Sequence, residues 1–248
     1  AAHLGEGRIL MRMIDPSVTD EDDPLSCNAA LDAFNPENGY RQPPASSTYA
    51  AEFVQRYHAA QRERITRLDA IARRFLDRRR EGRDAMRAAD FAARPWPQRA
   101  TALREAVLGR HLIVYRTEAD LRAMDLSLDP SERDAGTLFS YRPDLSNYME
   151  LGFARVCTPR AWPSTWSGLS SNADVVTNAA RITVPSLVVY YTGDNAIFPS
   201  DARAASRSIV KNVPRSSPRM TASRCAPLAR TSGGVTTVSR NAHAGSRV

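Results

Sequence analysis

The residue best placed to do chemistry is Asp194, within ITVPSLVVYYTGDNAIFPSD at 182–201. Leu187, Val188, Val189, Tyr190 and Tyr191 form a continuous apolar, β-favouring run, the pattern of a strand covered on both faces. Pro185 stands at its entrance, where a missing N–H is tolerated. Gly193 and Asn195 flank the acid and suit a tight turn. Ser200 or Asp201 can then cap a helix over 202–210. Asp194 is thus expected just past the carboxyl end of a parallel strand, where open α/β sheets keep their chemistry. The same carboxylate could instead do no more than cap its turn.

Few other residues group chemically. His3, His58, His111 and His243 are scattered, and so are Cys27, Cys157 and Cys225. An odd, dispersed set of thiols fits a reducing cytosol, hence a cytoplasmic location, better than a disulfide framework. Neither set has zinc-ligand spacing. Asp20, Glu21, Asp22 and Asp23 lack the spacing of a calcium loop, and a solvated acidic loop is expected there. No metal or organic cofactor is called for. Trp162 and Trp166 lie in a Pro-, Ser- and Gly-rich stretch at 158–172. They are expected to pack one layer on another, with contact to an apolar part of a substrate as the alternative for Trp166.

The elements that would position these residues are mainly helical. The clearest is a helix over 48–80. Phe53, Tyr57, Ile65, Leu68, Ala72, Phe75 and Leu76 recur on one side, and Arg56, Arg62, Glu63, Arg67, Arg73 and Arg74 fall largely on the other. Arg78, Arg79 and Arg80 are expected to end it near Gly82, where cations complement the helix dipole. A further helical piece is expected at 84–94, closed by Pro95-Trp96-Pro97, and another at 101–108. Residues 111–115 are β-like, and 136–148 and 158–172 are irregular. Asp15-Pro16 and Asp23-Pro24 mark an early loop.

The net charge of +7 invites a nucleic-acid reading, but its location argues against one. Residues 211–248 hold Lys211, six arginines and no acid, so the preceding 210 residues are electrically balanced. The arginine face of the long helix lacks interleaved aromatics that could stack on bases. No specific nucleic-acid partner is expected. No apolar run approaches the ~20 residues of a membrane span, and no secretory signal is visible. The tail at 212–248 is poor in large apolar residues and is expected to be disordered.

Several segments together carry a resemblance. DPSVTDEDDPLS, ALDAFNPENGYR, AQRERITRLDAIARRF, IVYRTEADLR, DLSLDPSER, RAWPSTWSGLSSNA and the acid stretch occur in this order. Over about residues 1–210 the chain resembles a family of capped α/β-hydrolase-fold proteins, mostly uncharacterised bacterial hydrolases. The resemblance implies an α/β class: a partial α/β-hydrolase fold with a large, mainly helical cap. Residues 1–13 would be the end of a core strand and the entry to the cap. Residues 14–178 would be the cap region, and 179–211 a core strand, the acid turn and a helix. The register at Ala1 is that of a chain entered partway.

The resemblance also implies roles. Asp194 takes the place of the triad acid, which orients a histidine and stabilises its imidazolium during acyl transfer. The nucleophile of such enzymes sits on a Gly-x-Ser-x-Gly elbow, and none occurs here. The nearest string, Gly168-Leu169-Ser170-Ser171-Asn172, lacks the final glycine. The expected histidine-bearing strand after the acid is also missing, which leaves His243 as the candidate base. His3, at the implied strand end, is a candidate substrate contact. The complete relative would hydrolyse an ester or related bond of a small-molecule substrate, and this chain is expected to be inactive by itself. The rival reading is a non-enzymatic binding or interaction module that presents the helical cap surface.

Overall fold

The computed structural model describes residues 6–182, 184, 188–210 and a strand at 224–225. Helix α1 (Gly7–Met13) turns Ile9, Leu10 and Met13 into the core. Its last carbonyls are met by a buried side chain: Gln61 Nε2 donates to Arg12 O (2.5 Å) and Ile14 O (2.8 Å). Helix α2 (Ala51–Arg87) is the spine of the molecule. Phe53, Tyr57, Ile65, Leu68 and Ala72 are all buried on one face, as their spacing dictates.

Helix α2 does not stop near Gly82. It continues through that glycine for five more residues, and α3 (Trp96–Val107) folds back against it. The glycine serves close packing rather than termination. A Cβ at position 82 would stand 2.7 Å from Ala106 N and 2.9 Å from Ala102 O, both backbone atoms of α3. Pro95-Trp96-Pro97 opens α3 instead of closing a helix, because proline fits the first turn, where N–H groups lack partners anyway. Gly82→Ala is therefore expected to destabilise the fold by about 1–2 kcal/mol, overpacking outweighing alanine's better helix propensity. A lowered thermal unfolding midpoint is the readout, and an unchanged or raised one would show that the two helices can part without loss.

The two-residue strands β1 (Leu112–Ile113) and β2 (Val156–Cys157) pair antiparallel, Leu112 opposite Cys157 and Ile113 opposite Val156. Between them lie two four-residue helices, α4 (Leu121–Met124) and α5 (Pro143–Ser146). After β2, a wide π-type turn at Trp162–Trp166 buries both tryptophans, and α6 (Val175–Asn178) follows. Strand β3 (Tyr190–Tyr191) pairs in parallel with β4 (Arg224–Cys225), and α7 (Pro199–Val210) lies between them. Among the described residues these four short strands are all the β structure, and no helix is long and apolar enough to cross a membrane.

The core has two parts, strung along α2. One gathers Ile9, Leu10, Ile65, Leu68, Val114 and Trp162. The other gathers Tyr49, Phe53, Tyr57, Leu121, Met124 and Phe198. Phe198 ties the acid stretch to the N-terminal half of α2.

Buried charge is the feature that helical periodicity does not reveal. Arg64 lies on the apolar side of α2, fully buried. It donates to Glu21 (2.9 Å), Asp15 O (2.7 Å) and Tyr115 O (3.0 Å). Glu21 also receives Arg67 (3.1 Å). This acid is thus a partner of α2 rather than a member of a solvated loop. The expected covering of the strand before Asp194 is corrected as well. Val189 is 48% exposed and Tyr191 64%. Among the described residues β3 has one short neighbour, β4, and its faces are only partly covered.

Candidate functional site

Asp194 occupies the turn that follows β3. Its backbone N–H donates to Tyr191 O (3.1 Å), which closes the turn. Its Oδ1 accepts from the N–H groups of Ala196 (2.8 Å) and Ile197 (3.1 Å). That is an Asx-type arrangement, the local bonding for which Asp is favoured in turns. No described residue hydrogen-bonds its Oδ2. One oxygen therefore fixes the side chain and the other remains able to accept. Asp194 is half-buried.

The helix after the turn begins at Pro199, three residues earlier than the sequence suggests. Phe198 holds the cap position, and Asp201 reaches back from the third helical position to accept its N–H (3.3 Å). Proline at the first position costs nothing, since that N–H has no helical partner. Serine and aspartate at 200 and 201 are thus first-turn residues rather than caps.

Charged side chains from residues 120–133 pin this turn and helix. Arg122 Nη1 contacts Asp201 (2.9 Å) and Ser200 Oγ (3.2 Å), while Asp120 holds its other edge (2.7 Å). Asp129 accepts from Ser200 N–H (2.8 Å) and from Arg203 (3.2 Å). Burial alone would raise the Asp129 carboxyl, but Ser200, Arg122 and Arg203 hold it below the usual carboxylate range. Glu132 receives both the Thr192 hydroxyl (2.5 Å) and, in return, donates its N–H to Thr192 O (3.1 Å). Arg122 and Arg133 both place their guanidinium carbons over the Phe198 ring, 4.3 Å and 4.8 Å from its centroid. The result is a carboxylate held on a braced turn, between a strand end and a helix start.

Among the described residues no other sequence candidate joins it. His3 and His243 lie outside the described residues. Trp166 is 6% exposed and packs in the core with Trp162, whose Nε1 donates to Asp69 (2.7 Å). Two surface clefts lie along the arginine face of α2, at Arg73, Arg74 and Arg78, and beside α6, at Asn172, Asp174 and Arg181. Neither is lined by Asp194.

A second polar group was not legible in the sequence. Glu118 is 3% exposed, and its Oε2 accepts from Thr137 Oγ1 (2.8 Å). Asn147 clamps the backbone beside it, donating to Glu118 O (2.9 Å) and accepting from Glu118 N (2.8 Å). Burial pushes the Glu118 carboxyl up to about 7, against the lowering effects of Thr137, the Phe139 N–H and Arg155. The segment 114–120 has neither helical nor alternating periodicity, so no pattern marks Glu118 as buried. A carboxylic acid that exchanges its proton near neutral pH is a general feature of functional sites.

No known protein family, no curated protein and no solved structure matches this chain.

Proposed function

We propose that this chain supplies the helical cap and the triad acid, Asp194, of an α/β-hydrolase-fold enzyme that cleaves an ester or related bond. The observation that carries the reading is the Asp194 carboxylate: Oδ1 is tied to two backbone N–H groups in the turn after β3, and Oδ2 is unengaged among the described residues. An acid fixed in this way can take a histidine N–H on its second oxygen, hold the ring in one tautomer and stabilise the imidazolium. The braces from Arg122, Asp129 and Glu132 support the same role, since a triad acid works by position. His243 is the candidate base and His3 the candidate substrate contact, while the burial of Trp166 in the core favours its packing role.

The 248 residues contain no Gly-x-Ser-x-Gly elbow. The chain alone is accordingly expected to show no turnover of a short-chain nitrophenyl ester. The positive test uses the enclosing gene. An upstream in-frame elbow and a histidine-bearing continuation past Asn212 would define a complete enzyme. In it Asp194→Asn is expected to lower kcat by about 10⁴-fold with the melting temperature unchanged. Flanking DNA that encodes neither, or ester turnover by the chain that survives Asp194→Asn, would end this reading.

A second reading has its own observation. Leu138, Phe139, Tyr141, Leu145, Met149 and Leu151 are all exposed between α4 and β2. Such a run of large apolar side chains is a feature of interaction surfaces. It favours a binding module over an enzyme should the catalytic test fail.

A further inference from the structure

The turn that carries α5 is folded inside out. Pro143 opens the helix, and the chain turns on through bonds from Tyr148 N–H to Leu145 O (3.0 Å) and from Met149 N–H to Ser146 O (3.0 Å). Leu145, Tyr148 and Met149 thus share one side, at three- and four-residue spacing. That side faces outward, and all three are exposed. The residue turned inward is polar. Asn147 is buried, donates Nδ2 to Glu118 O (2.9 Å) and Pro143 O (2.7 Å), and accepts the Glu118 N–H (2.8 Å). These bonds fix the polar residue inside and leave the apolar ones outside. The Tyr148 ring is also held in place, 5.1 Å from the guanidinium carbon of the buried Arg116.

The apolar surface extends beyond this turn. Leu138, Phe139 and Tyr141 precede it and Leu151 follows, all exposed. In the β1–β2 ribbon, Leu112 and Cys157 fill the buried side, so the opposed pair Ile113 and Val156 points outward. Arg155, next to Val156, ties loop to ribbon by donating to Asn147 O (3.1 Å) and Leu151 O (3.2 Å). Large side chains cover about 200 Å² each, so the exposed apolar residues of loop and ribbon, near half exposure, present on the order of 800 Å². The largest apolar patch of a typical monomer is about 300–600 Å². Each partner of a stable complex covers about 800 Å². Charge is sparse and balanced over 138–156: Arg142 pairs with Asp144 (2.7 Å), and Glu150 attracts the buried Arg155. A strongly acidic or basic partner finds no counter-charge there.

We propose that this face joins two copies of the chain in a dimer with twofold symmetry. A second copy supplies an apolar, electrically balanced surface of matching area, and a twofold axis sets the same patch on both sides. Tyr, Phe and Met with few charges are the composition of an interface core. Aromatic anchors that are already held lose little freedom on binding. The inference rests on the face of the binding-module reading and not on the hydrolase reading. Mass is measured without turnover, so either can fail alone.

The test is sedimentation equilibrium of the full chain. Interfaces of this area reach micromolar affinity or tighter, so at about 50 µM the mass is expected to approach twice 27.4 kDa and to fall toward 27.4 kDa on dilution. Leu145→Asp/Met149→Asp should weaken the dimer by at least about 30-fold, with the circular dichroism spectrum unchanged because both side chains are exposed. Leu145→Lys/Met149→Lys should do the same. An equal mixture of the two variants should recover the dimer, since opposite charges then meet across the axis. Trp96→Asp, at the exposed start of α3, should leave the mass unchanged. A monomer at about 50 µM, which would leave the face to a different protein, overturns the proposal. So do association that grows past two copies, a dimer that survives the aspartate pair, and a dimer lost on Trp96→Asp. If the aspartate pair unfolds the chain, the unmodified protein still decides. Amide hydrogen exchange over 138–156 should slow as concentration rises through the dimer range, and exchange that does not change overturns the proposal.

Discussion

Asp15→Ala is expected to lower the unfolding free energy by about 3–5 kcal/mol, the range for removing one partner of a buried ion pair. Both partners are fully buried. Arg116 Nη2 lies 2.6 Å from Asp15 Oδ2, and Nε donates to the same oxygen at 2.9 Å. The other carboxylate oxygen accepts the Ser17 N–H (2.8 Å). Backbone bonds repeat the link: Asp15 N–H donates to Arg116 O (2.9 Å), and Arg116 N–H donates to Asn147 O (3.2 Å). Arg116 itself has φ +60°, a conformation that side-chain-bearing residues rarely adopt. The cluster holds it there. Without that carboxylate, the guanidinium keeps the neutral acceptors Ser17 Oγ (2.5 Å) and Ser26 O (3.1 Å), with the Asp32 carboxylate no nearer than 4.0 Å, and stays desolvated.

Urea unfolding at neutral pH reads the effect, with an unchanged dependence on denaturant confirming a stability change. The double variant Asp15→Ala/Arg116→Met should recover much of the loss, because no unpaired charge remains. A single variant that costs less than about 1 kcal/mol would mean that water reaches Arg116 and the pair is not a structural centre.

The second large effect is on pH dependence, through Glu118. Its carboxyl titrates near 7 in the folded protein, against an ordinary value of 4.5. A raised acid means that the folded state holds its proton longer than the unfolded chain does. Its contribution to stability is fully present below 4.5 and is lost as pH rises through 7. The span corresponds to about 3 kcal/mol. Glu118→Gln, neutral at every pH, should remove this slope. The difference in unfolding free energy between wild type and variant should therefore move in the variant's favour by that amount from acid to mildly alkaline pH. A difference that stays flat across this range would show that Glu118 ionises as an exposed carboxylate does.

How much of this was legible beforehand varies by element. Helix α2 was, because Phe53, Tyr57, Ile65, Leu68 and Ala72 repeat at the helical period and bury one face. Its end was not. Gly82 is locally a stop signal, and only the approach of α3 to that backbone gives it another purpose. The acid turn was legible in outline, since Gly193, Asp194 and Asn195 carry their turn chemistry locally. The start of α7 was displaced by three residues because the cap is a reach-back from Asp201 to Phe198, which a list of preferred cap residues does not reveal. Burial along β3 was misjudged, because an apolar run states what a strand could cover and not what lies beside it.

The sequence by itself determined the helical spine, the acid turn and the balance of charge over the first 210 residues. These depend on residue type and short spacing, which act within a few positions along the chain. Only the tertiary structure decided which charges are buried and which partner each takes. Asp15 and Arg116 meet across 101 positions, and Arg64 and Glu21 across 43. An arginine on an apolar face and one on a solvated face look alike until the fold brings up a carboxylate, as for Arg64, or backbone carbonyls, as for Arg155. Electrostatic cost depends on distance and dielectric, and both are set by contacts between segments far apart in the chain. For that reason the acid turn could be found in the sequence, while the buried Glu118 could not.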